Sequence, residues 1–401
     1  MVVGEVQVEG RNYRVYPKVI DAASGALVWQ EKFDGELGET ETLDLFRIQD
    51  EMAGKIVAAL LPKLTPAMRA ASARGGRTEN REALRLYLEA TRASNSIDGN
   101  QRAVALLQES LRHDSTFSDA WVLMARRLSL GGAPGSRPTE LAIGWRQAID
   151  QALEYDSTNA DAYGERGFYR YAYEWNWDGA ISDLRRAADL NPGLRDPAIN
   201  FALVLAFLTR TDSALSYARR AVAVDPASPW PWNILEKVYA FSGLADSAMA
   251  ASERSLAIDS TMWHTNWVLM NAYLDAGRER EAEASVGRLL EQGRGVPGFL
   301  ALAAPYYARA GNREQASRLR NQIEVRAQSE HVSPAAIGIA RMAAGDSAGA
   351  LDALEESLRE RDLELASIVS LHFASLHGNR RFEDIRRKLY GDRPMMTGPY
   401  R

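Results

Sequence analysis

The side chains that most often carry metal or covalent chemistry are sparse in this sequence of 401 residues. It contains no cysteine, which excludes disulfides, thiolate metal sites and cysteine nucleophiles. Its five histidines are scattered, and no HExxH pattern relates any two of them. Only His372 and His377 lie close together, and no third ligand stands near them in the sequence. We therefore predict no metal site and no cofactor.

Motifs for phosphate or acyl chemistry are also missing from the sequence. It has no glycine-rich loop after a strand, no Gly-x-Ser-x-Gly turn, and no Ser/His/Asp grouping that the predicted fold would bring together. We therefore predict that the chain is not an enzyme. The alternative, an unrecognised enzyme, would require a cleft that holds carboxylates or histidines of perturbed pKa.

Charge and hydropathy narrow the class of partner. The formal net charge is −5 at pH 7, so no excess of positive charge favours a nucleic acid. No run of residues approaches the ~18 apolar side chains that a membrane span needs. The first residues lack the basic and apolar parts of a signal peptide, which predicts a cytoplasmic location, or an extracytoplasmic one if a membrane-anchored portion precedes Met1. Only six of the 48 basic residues are lysine, which is typical of a bacterial genome of high GC content.

Residues 1–64 predict a small α/β segment. Val6 and Val8 alternate with polar residues and form a hairpin with a second strand that ends at Ile20. A third strand is predicted over residues 26–33, which completes a three-stranded antiparallel meander. One helix follows, because apolar residues recur at three- and four-residue intervals. These residues are Leu45, Ile48, Met52, Ile56 and Leu60.

This segment resembles the second half of the TolB amino-terminal-like domain of bacterial signalling proteins. The matching residues are 4–6, 15–20, 21–26, Trp29, 48–51 and 56–57. The resemblance implies that a further strand-and-helix half would precede Met1. It also implies an output module upstream, such as a kinase, a winged-helix regulator or a cyclase. An alternative function is therefore the sensory or regulatory portion of a larger signalling protein.

The rest of the chain carries a fixed period of 34 residues. Four independent sets of residues keep this step, which makes chance an untenable explanation. The alanines are Ala180, Ala214, Ala248, Ala282, Ala316 and Ala350. The glycines are Gly243, Gly277, Gly311 and Gly345, the tyrosines are Tyr239, Tyr273 and Tyr307, and the turn residues are Asn191, Asp225 and Asp259.

A unit of this length with two helices resembles the tetratricopeptide repeat. Alanine lets the two helices approach closely, and glycine permits a turn of positive φ between them. The resemblance implies a mainly α fold, an α-solenoid of about eight helix pairs in a right-handed superhelix over residues 82–378. Residues 65–81 form a linker, and a capping helix and tail occupy 379–401. Trp145 stands where alanine is expected, so the packing there is predicted to be looser or rearranged.

In this repeat family the first helix of each pair lines a concave groove. Counting back from the alanine positions places ten residues on that side: Asn200, Leu203, Trp230, Asn233, Lys237, Phe241, His264, Trp267, Asn271 and Asp275. Trp230 and Trp267 fall at inward-facing positions and are candidate exposed aromatic anchors for a peptide, with core packing as the alternative. Lys237 would hold a backbone amide or a carboxylate, or would simply be a solvated charge. The predicted function is a non-enzymatic scaffold whose groove binds a protein or peptide partner.

Overall fold

A computed structural model describes residues 2–10, 12–20, 26–36, 52, 55, 78–93, 97–129, 138–191, 193–294, 296–362 and 365–395. The chain forms two compact units, residues 1–74 and 75–401. The first unit holds a small antiparallel sheet, and the second is a solenoid of helix pairs. The solenoid and the sheet that precedes it confirm the predicted fold class.

The sheet is built around its second strand. Its strands are β1 (Val2–Glu9), β2 (Asn12–Ile20), β3 (Leu27–Gln30) and β4 (Phe33–Glu36). β1 pairs with one side of β2, and both β3 and β4 pair with the other side.

The sequence predicts one continuous third strand over residues 26–33, and this prediction is wrong. That strand is interrupted between Gln30 and Phe33, and it continues to Glu36. The pairs Lys18–Gln30 and Val15–Phe33 keep one register, so the interruption lies opposite Pro17. Proline has no N–H to donate to the ladder, which explains the break. Of the helix predicted over residues 45–60, Met52 and Lys55 are helical, and the other residues lie outside the described part.

The solenoid consists of consecutive antiparallel helices. In chain order they are α1 (Arg81–Arg92), α2 (Ile97–His113), α3 (Ser118–Ser129), α4 (Pro138–Tyr155), α5 (Ala160–Tyr169), α6 (Trp177–Leu190), α7 (Arg195–Phe207), α8 (Thr211–Val224), α9 (Pro229–Phe241), α10 (Ala245–Ile258), α11 (Trp263–Asp275), α12 (Glu279–Gln292), α13 (Pro297–Arg309), α14 (Arg313–Arg326), α15 (Pro334–Ala343), α16 (Ser347–Glu360), α17 (Leu365–His372) and α18 (Arg380–Tyr390). Within the described residues, α1 to α16 form eight pairs, in which each odd-numbered helix is the first of its pair.

The periodic residues have the predicted roles. The six alanines that keep the period are fully buried, so each second helix lies close against its neighbours. The four periodic glycines have φ values of 73°, 69°, 78° and 85°, which place them in the left-handed region that side chains disfavour. Each of these glycines stands in the turn between the two helices of a pair.

Packing around Trp145 is rearranged rather than loose. The Trp145 side chain is fully buried, and its ring lies 5.4 Å from that of Phe168 and 5.0 Å from that of Tyr169. Directly after Tyr169 the helix widens into a π-helical turn at Arg170–Glu174. The turn ends at Trp175, which has a φ of 57°. A local change of helix type therefore accompanies the large side chain.

The last two helices, α17 and α18, turn back onto earlier pairs, and we call them the C-terminal pair. The indole Nε1 of Trp177, at the start of α6, donates a 2.7 Å hydrogen bond to the Leu389 carbonyl oxygen. The rings of Trp177 and Tyr390 stack at 4.8 Å. On α17, His372 lies 6.0 Å from the ring of Trp267. The sequence predicts a cap at residues 382–390 but not its contact with helices of the third and sixth pairs.

Candidate peptide-binding face

The first helices of neighbouring pairs stand side by side and carry the predicted groove residues. Phe207 on α7 and Phe241 on α9 have ring centroids 5.7 Å apart. Trp230 on α9 and His264 on α11 meet edge to face at 5.2 Å. The half-buried Leu203 packs against the hydrophobic core, one turn from the half-buried Asn200. The helices α7, α9 and α11 therefore form one continuous face.

An aromatic cluster stands on this face where α9 and α11 begin, and we define it as Trp230, Trp263 and His264. Trp263 stacks on His264 at a centroid distance of 3.4 Å, and it also contacts Phe299 of α13 at 4.8 Å. Trp230 is 37% exposed, as the sequence predicts for an anchor. A large indole that is supported from behind and open in front is suited to hold an apolar side chain.

His264 gives the cluster a polar group. Its Nδ1 atom is buried and has no hydrogen-bond partner among the described residues. Burial, together with the positive charge of Lys237, lowers the pKa of His264 well below its ordinary value. The imidazole is therefore neutral at physiological pH, and it offers one nitrogen as an acceptor or as a donor, according to its tautomer.

Trp267 differs from the prediction, because it is only 6% exposed and His372 of the C-terminal pair lies against it. Asn271 is also buried, and its side-chain nitrogen donates a 2.9 Å hydrogen bond to the Trp267 carbonyl oxygen. Arg309 donates to the Asn271 side-chain oxygen at 3.4 Å and forms an ion pair with Asp275. The carboxyl-terminal half of α11 is therefore already in contact with other parts of the chain.

Asn233 points between helices instead of into an open groove. It is 0% exposed, and its nitrogen lies 2.6 Å from Oε1 of Glu236 and 3.3 Å from the Thr265 hydroxyl. Glu236 is equally buried, and burial raises its pKa to about 7 against the opposing effects of the Lys237 charge and the hydrogen bond from Asn233. The structure thus places Asn233 in a buried polar cluster behind the face.

The sequence reasoning missed Glu236, although the period contained a signal. At 34-residue steps from Glu236, the positions on α7, α11, α13 and α15 are apolar or glycine: Ala202, Met270, Ala304 and Gly338. A carboxylate at a register otherwise reserved for small or apolar side chains indicates a buried charge or a buried neutral acid.

The sequence reasoning also missed an ionic network across three pairs. Arg126 on α3 lies 2.9 Å from Glu165 and 3.3 Å from Asp161, both on α5, and 3.1 Å from Asp196 on α7. Glu165 is 5% exposed, and burial raises the pKa values of Glu165 and Asp161 against the opposing charge of Arg126. One guanidinium thus joins the first helices of the second, third and fourth pairs.

No cluster of three or more potential metal ligands occurs among the described residues. Burial lowers the pKa of His372 to about 4. His377 faces Glu383 at 3.3 Å, away from His372's contact with Trp267. The two histidines that lie close in sequence therefore have separate surroundings. Within the same part of the chain, no helix is both long and apolar enough to cross a membrane.

No family model and no curated protein matches the chain. Solved structures resemble it through their helical repeats. A tetratricopeptide repeat protein from Parabacteroides merdae is 11% identical with a TM-score of 0.44, and the match covers 68% of this chain and 98% of that one. A human IFIT1 dimer with PPP-AAAA is 15% identical, with a TM-score of 0.48 and coverage of 66% and 69%. YrrB, a tetratricopeptide repeat protein with an unusual peptide-binding site, is 17% identical, with a TM-score of 0.33 and coverage of 49% and 95%.

These likenesses lie in the repeat architecture alone. The resemblance of residues 1–64 to the TolB amino-terminal-like domain is not confirmed by any family model, and it stays a prediction.

Proposed function

We propose that the chain is a non-enzymatic scaffold that binds a protein or peptide through the face formed by α7, α9 and α11. The observation that supports this function is the aromatic cluster, in which the exposed indole of Trp230 is supported edge to face by His264. An apolar side chain of a bound peptide would pack on Trp230. Lys237 adds a positive charge near His264.

Six residues of the predicted set are thereby divided into two groups. Trp230, Lys237 and His264 form the part of the face that we propose to contact a partner. The buried Asn233, Trp267 and Asn271 support it from within the chain. An interface of this kind depends on a few anchors, and truncation of a central tryptophan typically costs about 2 kcal/mol or more.

The test is a peptide selection followed by variants of the full chain. Peptides would be selected from a phage-displayed random library on the wild-type chain, and their affinities measured by fluorescence anisotropy. We expect Trp230→Ala to weaken binding by roughly tenfold or more, in line with the loss of an aromatic anchor. Leu244→Ala is the matched control, because Leu244 is 44% exposed and lies in the turn that follows α9.

Both side chains are exposed, so neither truncation removes core packing, and unchanged circular dichroism and melting would verify this. Selected peptides that bind the Trp230 and Leu244 variants equally well would contradict the proposed face.

A further inference from the structure

The C-terminal pair lies against two helices from the middle of the solenoid. Its contacts reach α6 at Trp177 and α11 at Trp267, helices that precede it by more than a hundred residues. His264 precedes Trp267 by one helical turn on α11, about 5 Å along the helix axis. The resident pair and a peptide on the aromatic cluster would therefore be immediate neighbours.

The resident helix α18 is strongly amphipathic. Its buried stripe is apolar and ends in an aromatic residue: Phe382, Ile385, Leu389 and Tyr390. Its other positions are mostly basic: Arg380, Arg381, Arg386, Arg387 and Lys388, against the two acids Glu383 and Asp384. The occupant is thus a basic helix with an aromatic residue at its carboxyl end.

Trp177 and Asp178 receive the C-terminal segment, and we call the stretch from Tyr173 to Asp178 that contains them the acceptor turn. Trp177 donates to the Leu389 carbonyl oxygen and stacks on Tyr390. Asp178 forms an ion pair with Arg393, and its own side chain is largely exposed. The acceptor turn therefore recognises the end of a helix through an indole donor, an aromatic face and a carboxylate.

The acceptor turn also holds an indole donor without an acceptor. The Nε1 atom of Trp175 is buried and has no hydrogen-bond partner among the described residues. The Arg361 guanidinium lies over the Trp175 ring at 4.6 Å and donates to the Tyr173 carbonyl oxygen at 3.3 Å, but it cannot accept a hydrogen bond from the indole. A buried donor without an acceptor is unfavourable, so a ligand that brings an acceptor to Trp175 would gain a hydrogen bond that the described residues do not supply.

We propose that the acceptor turn is a binding site for an amphipathic helix with a basic flank and an aromatic residue near its carboxyl end, and that a partner of this chemistry binds by displacing the C-terminal pair. This inference rests on the proposed function, since it names the chemistry of the scaffold's partner and the way in which the partner binds. The resident helix α18 itself has the basic flank and the carboxyl-terminal aromatic residue that we propose for the partner. While bound, it also competes with any ligand at high effective concentration.

The probe for this proposal is a fluorescent peptide with the sequence of residues 365–395, titrated into variants of the full chain. Arg393→Gln breaks the ion pair with Asp178 and leaves the acceptor turn unchanged. We expect it to tighten peptide binding about threefold, because the resident competitor is weakened by an exposed ion pair. Arg387→Gln is the matched control, since Arg387 pairs within its own helix with Asp384.

A second variant gives a larger effect. Tyr390→Leu keeps an apolar side chain, but it removes the stacking on Trp177 and the hydrogen bond to the Ala366 carbonyl oxygen. We expect the peptide to bind this variant on the order of tenfold more tightly than the wild-type chain. Adding Trp177→Phe should then weaken the peptide again, whereas adding Trp121→Phe should not, because Trp121 donates to the Ser115 carbonyl oxygen far from the acceptor turn.

Locking the resident helix provides the opposite perturbation. The chain has no cysteine, so Asp178→Cys and Arg393→Cys would introduce the only two thiols. A bismaleimide linker joins them in place of the ion pair, and the unlinked double variant serves as the reference. We expect the linked chain to lose peptide binding.

Equal binding to the linked and unlinked chains, or equal binding to all the resident-helix variants, would overturn the displacement. The peptides selected for the aromatic cluster distinguish this failure from failure of the scaffold function. If those peptides bind and depend on Trp230 while the 365–395 peptide does not bind, the scaffold function stands and the acceptor site is rejected.

Discussion

Replacing the buried Glu236 by glutamine should make the chain more stable at alkaline pH. Glu236 is 0% exposed, and its pKa of about 7 compares with 4.5 for an unburied glutamate. At about 1.4 kcal/mol per pKa unit, the difference corresponds to roughly 3 kcal/mol. The folded chain holds a proton that the unfolded chain has released, so this contribution to stability is present below about pH 4.5 and is lost as the pH rises toward about 7.

The measurement is the urea denaturation of both chains, followed by circular dichroism at about pH 5 and about pH 8. Glu236→Gln should equal the wild type within about 1 kcal/mol at the lower pH and exceed it by about 2 to 3 kcal/mol at the higher one. Glu253→Gln is the control, because Glu253 is exposed on the neighbouring helix α10. That change should leave the free energy of unfolding within about 0.5 kcal/mol of the wild type at both pH values. A difference between wild type and Glu236→Gln that does not vary with pH would refute the reasoning.

Three further predictions concern other parts of the solenoid. The pKa of His372 is about 4 in the folded chain and 6.5 when unburied, so protonation below about pH 6.5 favours unfolding. Between about pH 6.5 and pH 4, the free energy of unfolding of the wild type should therefore fall by up to about 3 kcal/mol more than that of His372→Gln, as circular dichroism during an acid titration would show. Arg126→Met should cost about 3 to 5 kcal/mol in urea denaturation because it strands buried carboxylates, whereas Arg85→Met, at an exposed pair, should cost less than about 1 kcal/mol. Gly243→Ala should lower stability by about 1 kcal/mol in the same assay, since φ is 73° and the added methyl group meets no atom within 4 Å.

The helix pairs could be predicted because each repeat is determined by local chemistry. The position that needs a small side chain and the turn that needs positive φ recur every 34 residues, and they require alanine at Ala248 and glycine at Gly243. The place of Trp230 on the first helix of a pair could be predicted for the same reason, but its exposure could not, since Trp267 also lies on a first helix and is buried.

The state of Trp267 and Asn233 could not be predicted from the period. Trp267 is covered by His372, and no spacing rule relates these residues. The burial of Asn233 depends on the rotation of its side chain toward Glu236 and Thr265, which the period does not determine. The break in the third strand could have been predicted, because Pro17 has no N–H to donate to the ladder.

The contact between Trp177 and Leu389 changes how the solenoid should be understood. An open solenoid is quasi-one-dimensional, and each pair interacts only with its neighbours. This contact joins residues 212 positions apart, and closing such a loop in a flexible chain would cost about 5 kcal/mol. In the folded solenoid the intervening pairs already hold the chain in place, so little of that cost remains when the C-terminal pair docks. The long-range contacts at Trp177 and Trp267 therefore form at little entropic cost, and a partner that displaces the C-terminal pair must also replace the burial of its apolar side chains, among them Phe373, Phe382 and Tyr390.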